Sequence, residues 1–86
     1  KVDEPQLDKL TIFPIPAIDK VVLFIPDKRL EHICVFDVTG HEVFSANIDI
    51  FNQEYEIVTE NFLPGVYFCK VKTDKEVFYA RFIISK

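Results

Sequence analysis

The residues of this chain able to do chemistry are two histidines, two cysteines and a scatter of carboxylates. Their spacing decides how much chemistry is available. Ligands of one metal ion must converge on it at ordinary bond lengths. His41 opens the run that follows the Asp37-Val38-Thr39-Gly40 turn, whereas His32 lies near the far end of the partner strand, so the two cannot share an ion. Both read as solvated strand histidines. Cys34 and Cys69 each lie inside an apolar run, where a small hydrophobe is also wanted. The sequence marks no Cys–His neighbourhood and no cationic cluster around either thiol, so two inert thiols are expected rather than a nucleophile. A bridge between them is the one disulfide the chain offers in an oxidising compartment. Strand alternation points Cys34 outward and Cys69 inward, which opposes that bridge.

The other polar residues exclude more than they suggest. Glu42, Glu54, Glu56 and Glu60 fall on strand faces or loop edges, without the paired placement that glycoside hydrolysis requires. Ser45 and Ser85 have neither a Ser-His-Asp context nor a strand–turn–helix elbow. Two glycines cannot build a phosphate-cradling loop. Asp37 is accounted for by its turn, in which an Asp at the first position accepts the backbone N–H two residues on. No catalytic residue, metal site or cofactor is expected, and the chain does not read as an enzyme. Its net charge of −4 is spread out, with no Lys/Arg stripe, so nucleic acid is not an expected partner. The longest apolar run, Val21 to Pro26, is strand-sized, and no membrane insertion is expected. No leader-like segment opens the chain, so any first export signal is expected upstream of Lys1.

Eighty-six residues make one small domain, and composition offsets the shortage of length. Nine Phe and three Tyr can close a core that few residues would otherwise fill. Residues 1–9 are half charged, contain Pro5 and show no apolar period, which reads as the end of a linker from an upstream domain. Order is expected from Leu10. From there, short β-branched and aromatic runs alternate with turn chemistry. Strands are predicted over Leu10–Phe13, Asp19–Ile25, Glu31–Val38, His41–Ile48, Tyr55–Thr59, Val66–Thr73 and Glu76–Ser85. Pro14 and Pro16 stop the first, because neither can donate a ladder hydrogen bond. No helical stripe occurs. Seven short strands at near-regular spacing predict an all-β, seven-stranded antiparallel Ig-like sandwich of residues 10–86.

Alternation also predicts the faces. Gly40 is expected to supply the left-handed residue of a bulged three-residue hairpin loop, with Asp37 facing His41 and Val35 facing Val43. Ile33, Val35 and Val43 then point to the core, and Cys34, Phe36 and Phe44 to solvent. Lys70 and Lys72 turn Tyr67, Cys69 and Val71 inward, and Phe78, Ala80, Phe82 and Ile84 share the inner face of the last strand. Apolar residues remain on outward faces, among them Phe36, Phe44, Phe68 and Tyr79. A contiguous outward patch would mark an interface with a cargo domain or with other proteins.

The order Phe13-Pro14-Ile15-Pro16-Ala17, Asp19, Val35-Phe36-Asp37-Val38-Thr39-Gly40, Leu63-Pro64-Gly65-Val66-Tyr67 and Arg81-Phe82-Ile83 resembles the type A C-terminal sorting domain of the type IX (Por) secretion system of Bacteroidetes. The resemblance spans nearly the whole chain from Leu10. Phe13 and Ile15 stand where the family pattern has Tyr and Asn, and Ile83-Ile84-Ser85-Lys86 is a less basic ending than many. The resemblance implies a non-catalytic export signal at the C-terminus of a cargo protein. It further implies delivery through the periplasm, recognition by the outer-membrane translocon, and removal by a surface sortase that attaches the cargo. It singles out Pro14, Pro16, Asp37, Gly40, Leu63, Gly65 and Tyr67 as motif residues. Arg81, Phe82, Ile83 and Lys86 are the recognition candidates it suggests. Two other readings keep the fold: a retained docking module of the surface attachment complex, and an Ig-like spacer or carbohydrate-binding module of a secreted enzyme. The absence of Trp weighs against sugar binding. A monomer or weak dimer is expected.

Overall fold

The computed structural model describes residues 10–86, so the expected linker end at residues 1–9 lies outside the described residues. Seven strands follow one another: β1 (Thr11–Phe13), β2 (Lys20–Phe24), β3 (Arg29–Asp37), β4 (Glu42–Phe51), β5 (Tyr55–Val58), β6 (Gly65–Thr73) and β7 (Val77–Ile84). They form two antiparallel sheets, β1-β2-β5 and β4-β3-β6-β7. The architecture is the Ig-like sandwich that the regular turn spacing predicts. The chain crosses between sheets after β2, β4 and β5, which brings β3 and β6 together as the central pair of the larger sheet.

The core lies between the sheets. Val21, Leu23, Ile25 and Ile57 enter it from the smaller sheet and its flank, and Ile33, Val35, Cys69, Val71, Phe82 and Ile84 from the larger. Period-2 alternation explains most of this: Tyr67, Cys69, Val71 and Thr73 are buried, while Phe68, Lys70 and Lys72 turn away from the core. The β7 assignment also holds, with Phe82 and Ile84 buried and Tyr79, Arg81 and Ile83 exposed. The N-terminal part closes the open edge of β7. Ala17 pairs with Ile84 in parallel, its N–H donating to the Ile83 carbonyl at 2.8 Å and its carbonyl accepting from Ser85 at 2.9 Å. The segment that reaches there carries both prolines, with cis bonds at Phe13–Pro14 and Ile15–Pro16.

One face assignment is corrected. Asp37 and His41 close the hairpin as expected, with Asp37 N–H donating to the His41 carbonyl at 2.9 Å. The ladder then slips: Phe36 pairs with Glu42, but Val35 pairs with Phe44 instead of Val43. This bulge leaves Val43 as the extra residue and puts Phe44 on the side of Val35, where both Val43 and Phe44 pack against the core. Phe44 therefore does not belong to the outward face. A second irregularity lies between Leu30 and His32, and it lets both Leu30 and Ile33 reach the core although they are three residues apart.

Gly40 has φ +87° and Gly65 φ +146°, and a Cβ added at either would meet no atom within 4 Å. A side chain there is therefore opposed by backbone strain and not by crowding. Gly40→Val and Gly65→Val should each lower stability by about 1–3 kcal/mol, read as a reduced midpoint in thermal or denaturant unfolding. An unchanged midpoint in both would show that neither turn needs its glycine.

Candidate functional site

Four sequence-distant segments meet at one end of the sandwich, and each is held there by an identifiable interaction. The first is the β3–β4 turn. Gly40 N–H donates to the Asp37 carbonyl at 3.0 Å, closing the turn. The Asp37 carboxylate Oδ1 accepts from Thr39 N–H at 3.0 Å, Thr39 Oγ1 at 2.7 Å and His41 N–H at 3.0 Å. These donors favour the charged form. The Thr39 hydroxyl above all, then the backbone N–H groups of His41 and Thr39, hold the Asp37 carboxyl below its ordinary value despite some desolvation.

The second segment is Leu63-Pro64-Gly65-Val66-Tyr67. The Tyr67 hydroxyl donates to the Leu63 carbonyl at 2.6 Å, the back-bond to a residue a few positions upstream that forms a tyrosine corner. Its ring lies against Phe82 at 5.7 Å and Phe62 at 5.2 Å between centroids. Burial, then the nearby Asp37 charge, push the Tyr67 phenol above its ordinary value. The third segment is Pro14 to Ala17, bound to the end of β7. The fourth is the C-terminus itself. The Lys86 ammonium donates to the carbonyls of Thr59, Glu60 and Phe62 at 3.2, 2.6 and 2.7 Å, which matches three acceptors to its three N–H donors.

Between the turn and the β5–β6 loop lies a groove of about 440 Å³, lined among others by Asp37, His41, Glu42, Phe62, Leu63 and Tyr67. A second groove, of about 300 Å³, lies at the opposite end around Asp27, Arg29, Phe51 and Lys75 and contains no motif residue. The motif end also exposes large apolar side chains. Leu63 is 77 % exposed and Val38 68 %, while Ile15 and Ile18 are also well exposed. What the motif end offers is binding surface. Among the described residues, no group of three or more His, Cys, Asp or Glu could hold a metal ion.

The recognition candidates divide. Arg81 and Ile83 face outward on β7, and the Arg81 guanidinium has no ion-pair or hydrogen-bond partner among the described residues. Phe82 is 1 % exposed, inside the core, and Lys86 is engaged by the three carbonyls. Of the interface candidates, Phe36 and Phe68 are neighbours across β3 and β6. Tyr79 shares their face two residues along from Arg81, and Phe44 is on the other side of the sheet.

The expectation that no histidine neighbours either cysteine is overturned. Cys69 is fully buried and inert, its thiol pushed up to about 12, chiefly by burial and then by Cys34. Cys34, however, lies 3.1 Å from His32 Nε2, and His32 Nδ1 lies 2.7 Å from Asn47 Oδ1. His32 and Cys34 are two residues apart on one strand and so share a face. That signal was present in the sequence, whereas Asn47 enters only through the β3–β4 register. Both thiols are free, as the opposite faces of the two cysteines lead one to expect.

Residues 11–85 match the family described as the secretion system C-terminal sorting domain. No curated protein matches the chain.

Lys86→Met keeps most of the side-chain bulk but removes the ammonium, and should lower stability by about 1 kcal/mol, as expected for partly exposed charge-assisted bonds. Denaturant unfolding checks this, and an unchanged midpoint would show the clamp to be idle. Asp37 gives a pH test. Because its folded value is depressed, its charge contributes stability that is present above the ordinary value of 3.8 and lost as pH falls through the lower folded value. The stability gap between the parent chain and Asp37→Asn should hold steady at neutral pH and close in acid below that value. A gap independent of pH would remove the carboxylate's charge from the account of the turn.

Proposed function

The chain belongs to the family of secretion system C-terminal sorting domains, and on that premise we propose that its folded sandwich is the signal read by the type IX outer-membrane translocon. As a sorting signal it is attached to an upstream cargo and directs export toward the cell surface or beyond. In the proposal, the cargo reaches the translocon through the periplasm, the domain docks by the end where the motif segments meet, and a surface sortase then removes it.

One observation carries this reading. Pro14 to Ala17, Asp37 to Gly40, Leu63 to Tyr67 and Lys86 are distant in sequence and adjacent in space, through the bonds of Ala17 to β7, Tyr67 to Leu63 and Lys86 to the 59–62 loop. Their local roles in turns explain why each segment is built as it is. Those roles do not explain the apolar side chains of Leu63 and Val38 displayed at the same end. Exposed apolar groups clustered beside a groove are the usual mark of a protein-binding surface. Arg81 and Ile83 extend that surface along the outward side of β7, and Phe36, Phe68 and Tyr79 continue it across the sheet.

The experiment is export of a cargo carrying substituted domains. Leu63→Ser with Val38→Ser, and separately Arg81→Ala with Ile83→Ser, alter exposed side chains, which changes stability by about 0.5 kcal/mol per site. Each pair should leave the cargo in the periplasm with its domain still folded, as judged by protease resistance. Lys75→Ser at the opposite end should export normally. Normal surface delivery by both pairs would place recognition elsewhere.

A further inference from the structure

The outward face of the larger sheet carries a cluster that neither the fold nor the sorting function uses. His32, Cys34, Ser45 and Asn47 lie side by side on β3 and β4, where Cys34 pairs with Ser45 and His32 with Asn47. The Asn47 amide oxygen is 2.7 Å from His32 Nδ1. With that oxygen toward the ring, Nδ1 is the donor, and the neutral tautomer leaves the Nε2 lone pair free. Nε2 points at Cys34 Sγ, 3.1 Å away, with Ser45 Oγ at 3.4 Å. This places a base against a thiol and an acceptor behind the base, the relation that activates a nucleophile.

The neighbouring strand adds two lysines to this face. Lys70 on β6 stands opposite Cys34 and Lys72 opposite His32. Glu31 is held by Lys72 at 3.3 Å, and the next residue in the Cys34 row beyond Lys70 is Tyr79 on β7. Cys34 retains 9 % exposure on this face, whereas Cys69 retains none. Cys34 is thus buried rather than solvent-facing as alternation predicts, yet it lies beside a base and keeps a small opening, whereas Cys69 is sealed and serves as an internal reference.

We propose that Cys34 is a thiol–disulfide exchange site that takes a low-molecular-weight disulfide. The Cys34 proton passes to His32 Nε2, and the resulting thiolate attacks one sulfur of the disulfide. A bond from Sγ to that sulfur forms, the original S–S bond breaks, and the departing sulfur leaves with the electron pair and takes the proton from the imidazolium. Cys34 is oxidised to a mixed disulfide and the departing thiol is the reduced product. On the proposed export route the chain enters oxidising compartments, where disulfides persist. The proposal does not depend on where the translocon binds.

The test uses the native 86-residue chain and an aromatic disulfide, dithiobis-nitrobenzoate, whose released thiol is followed by absorbance. One thiol should react, mapped to Cys34 by peptide mass, and Cys69 should react only after denaturation. His32→Gln should slow the Cys34 reaction about tenfold by removing the base. Asn47→Leu should slow it in the same direction, whereas Asn47→Asp keeps the acceptor, adds charge that favours the imidazolium, and should match or exceed the parent rate. A purely structural role for Asn47 would not separate those two variants. Cys69, silent only while the core is closed, reports in the same assay that each variant is folded, and Asn47→Leu tests the same proton path should His32→Gln open the core. With cystine as the disulfide, intact mass should increase by one half-cystine. Absence of reaction at native Cys34, equal reactivity of Cys34 and Cys69, or a parent-like rate in both His32→Gln and Asn47→Leu would overturn the proposal.

Discussion

The organisation of the motif end depends on the buried hydroxyl of Tyr67. β6 is bonded on both sides, to β3 and β7, so its inner face must help to close the core. Tyr67 fills the first core position on that face, and a phenol taken out of water must find an acceptor. The Leu63 carbonyl supplies it. That bond fixes the path of the chain from β5 into β6, and Gly65 provides the positive φ the path needs. The loop so fixed turns the carbonyls of Thr59, Glu60 and Phe62 toward one point, which Lys86 occupies. The groove beside Asp37 is the space left between this loop and the β3–β4 turn. A Leu-x-Gly-x-Tyr sequence is thus a set of backbone and solvation requirements that leaves the Leu63 side chain exposed.

The features readable from sequence were those fixed by local chemistry or by a period of two. The Asp37 turn, the seven strands and the inner faces of β6 and β7 are of this kind, because alternation and turn residues act within a few positions. Phe44 was misassigned because one bulge reverses every later residue of a strand, and no residue type announces the slip. Lys86 is legible only as a recognition candidate, because its acceptors are backbone carbonyls and the sequence does not say where those point. Phe82 belonged to the inner face by alternation, so its place in the core was legible even while the resemblance drew it toward recognition. The His32–Cys34 pair was also legible as an i, i+2 relation on an outward face. Its chemical meaning needed Asn47, and that needed the register.

The two surfaces of the larger sheet carry different loads. Its inner face is apolar and closed by Phe82, Val71 and Ile33. Its outer face mixes Phe36, Phe68 and Tyr79 with His32, Cys34, Lys70, Lys72 and Arg81, which neither buries into a second layer nor reads as a plain solvated face. The mixture explains why binary pattern alone could not tell a binding surface from incidental exposure.

In the proposed reading, the signal exists only when folding is complete. The segments around residues 14–17, 37–40 and 63–67 and the C-terminal lysine come from both sheets and from both ends of the described chain. They come to the same end only when β1, β2 and β5 are closed over β3, β6 and β7. Ala17 joins the edge of β7, Thr59 N–H donates to the Asp19 carbonyl at 2.7 Å, and Lys86 bonds the loop that follows Thr59, so local unfolding of either sheet dismantles the same end. A partner that binds there binds a finished sandwich and discriminates against an unfolded or truncated one without any separate check. In that reading incomplete folding costs recognition, and mutations far from the groove act on export through the population of the folded state.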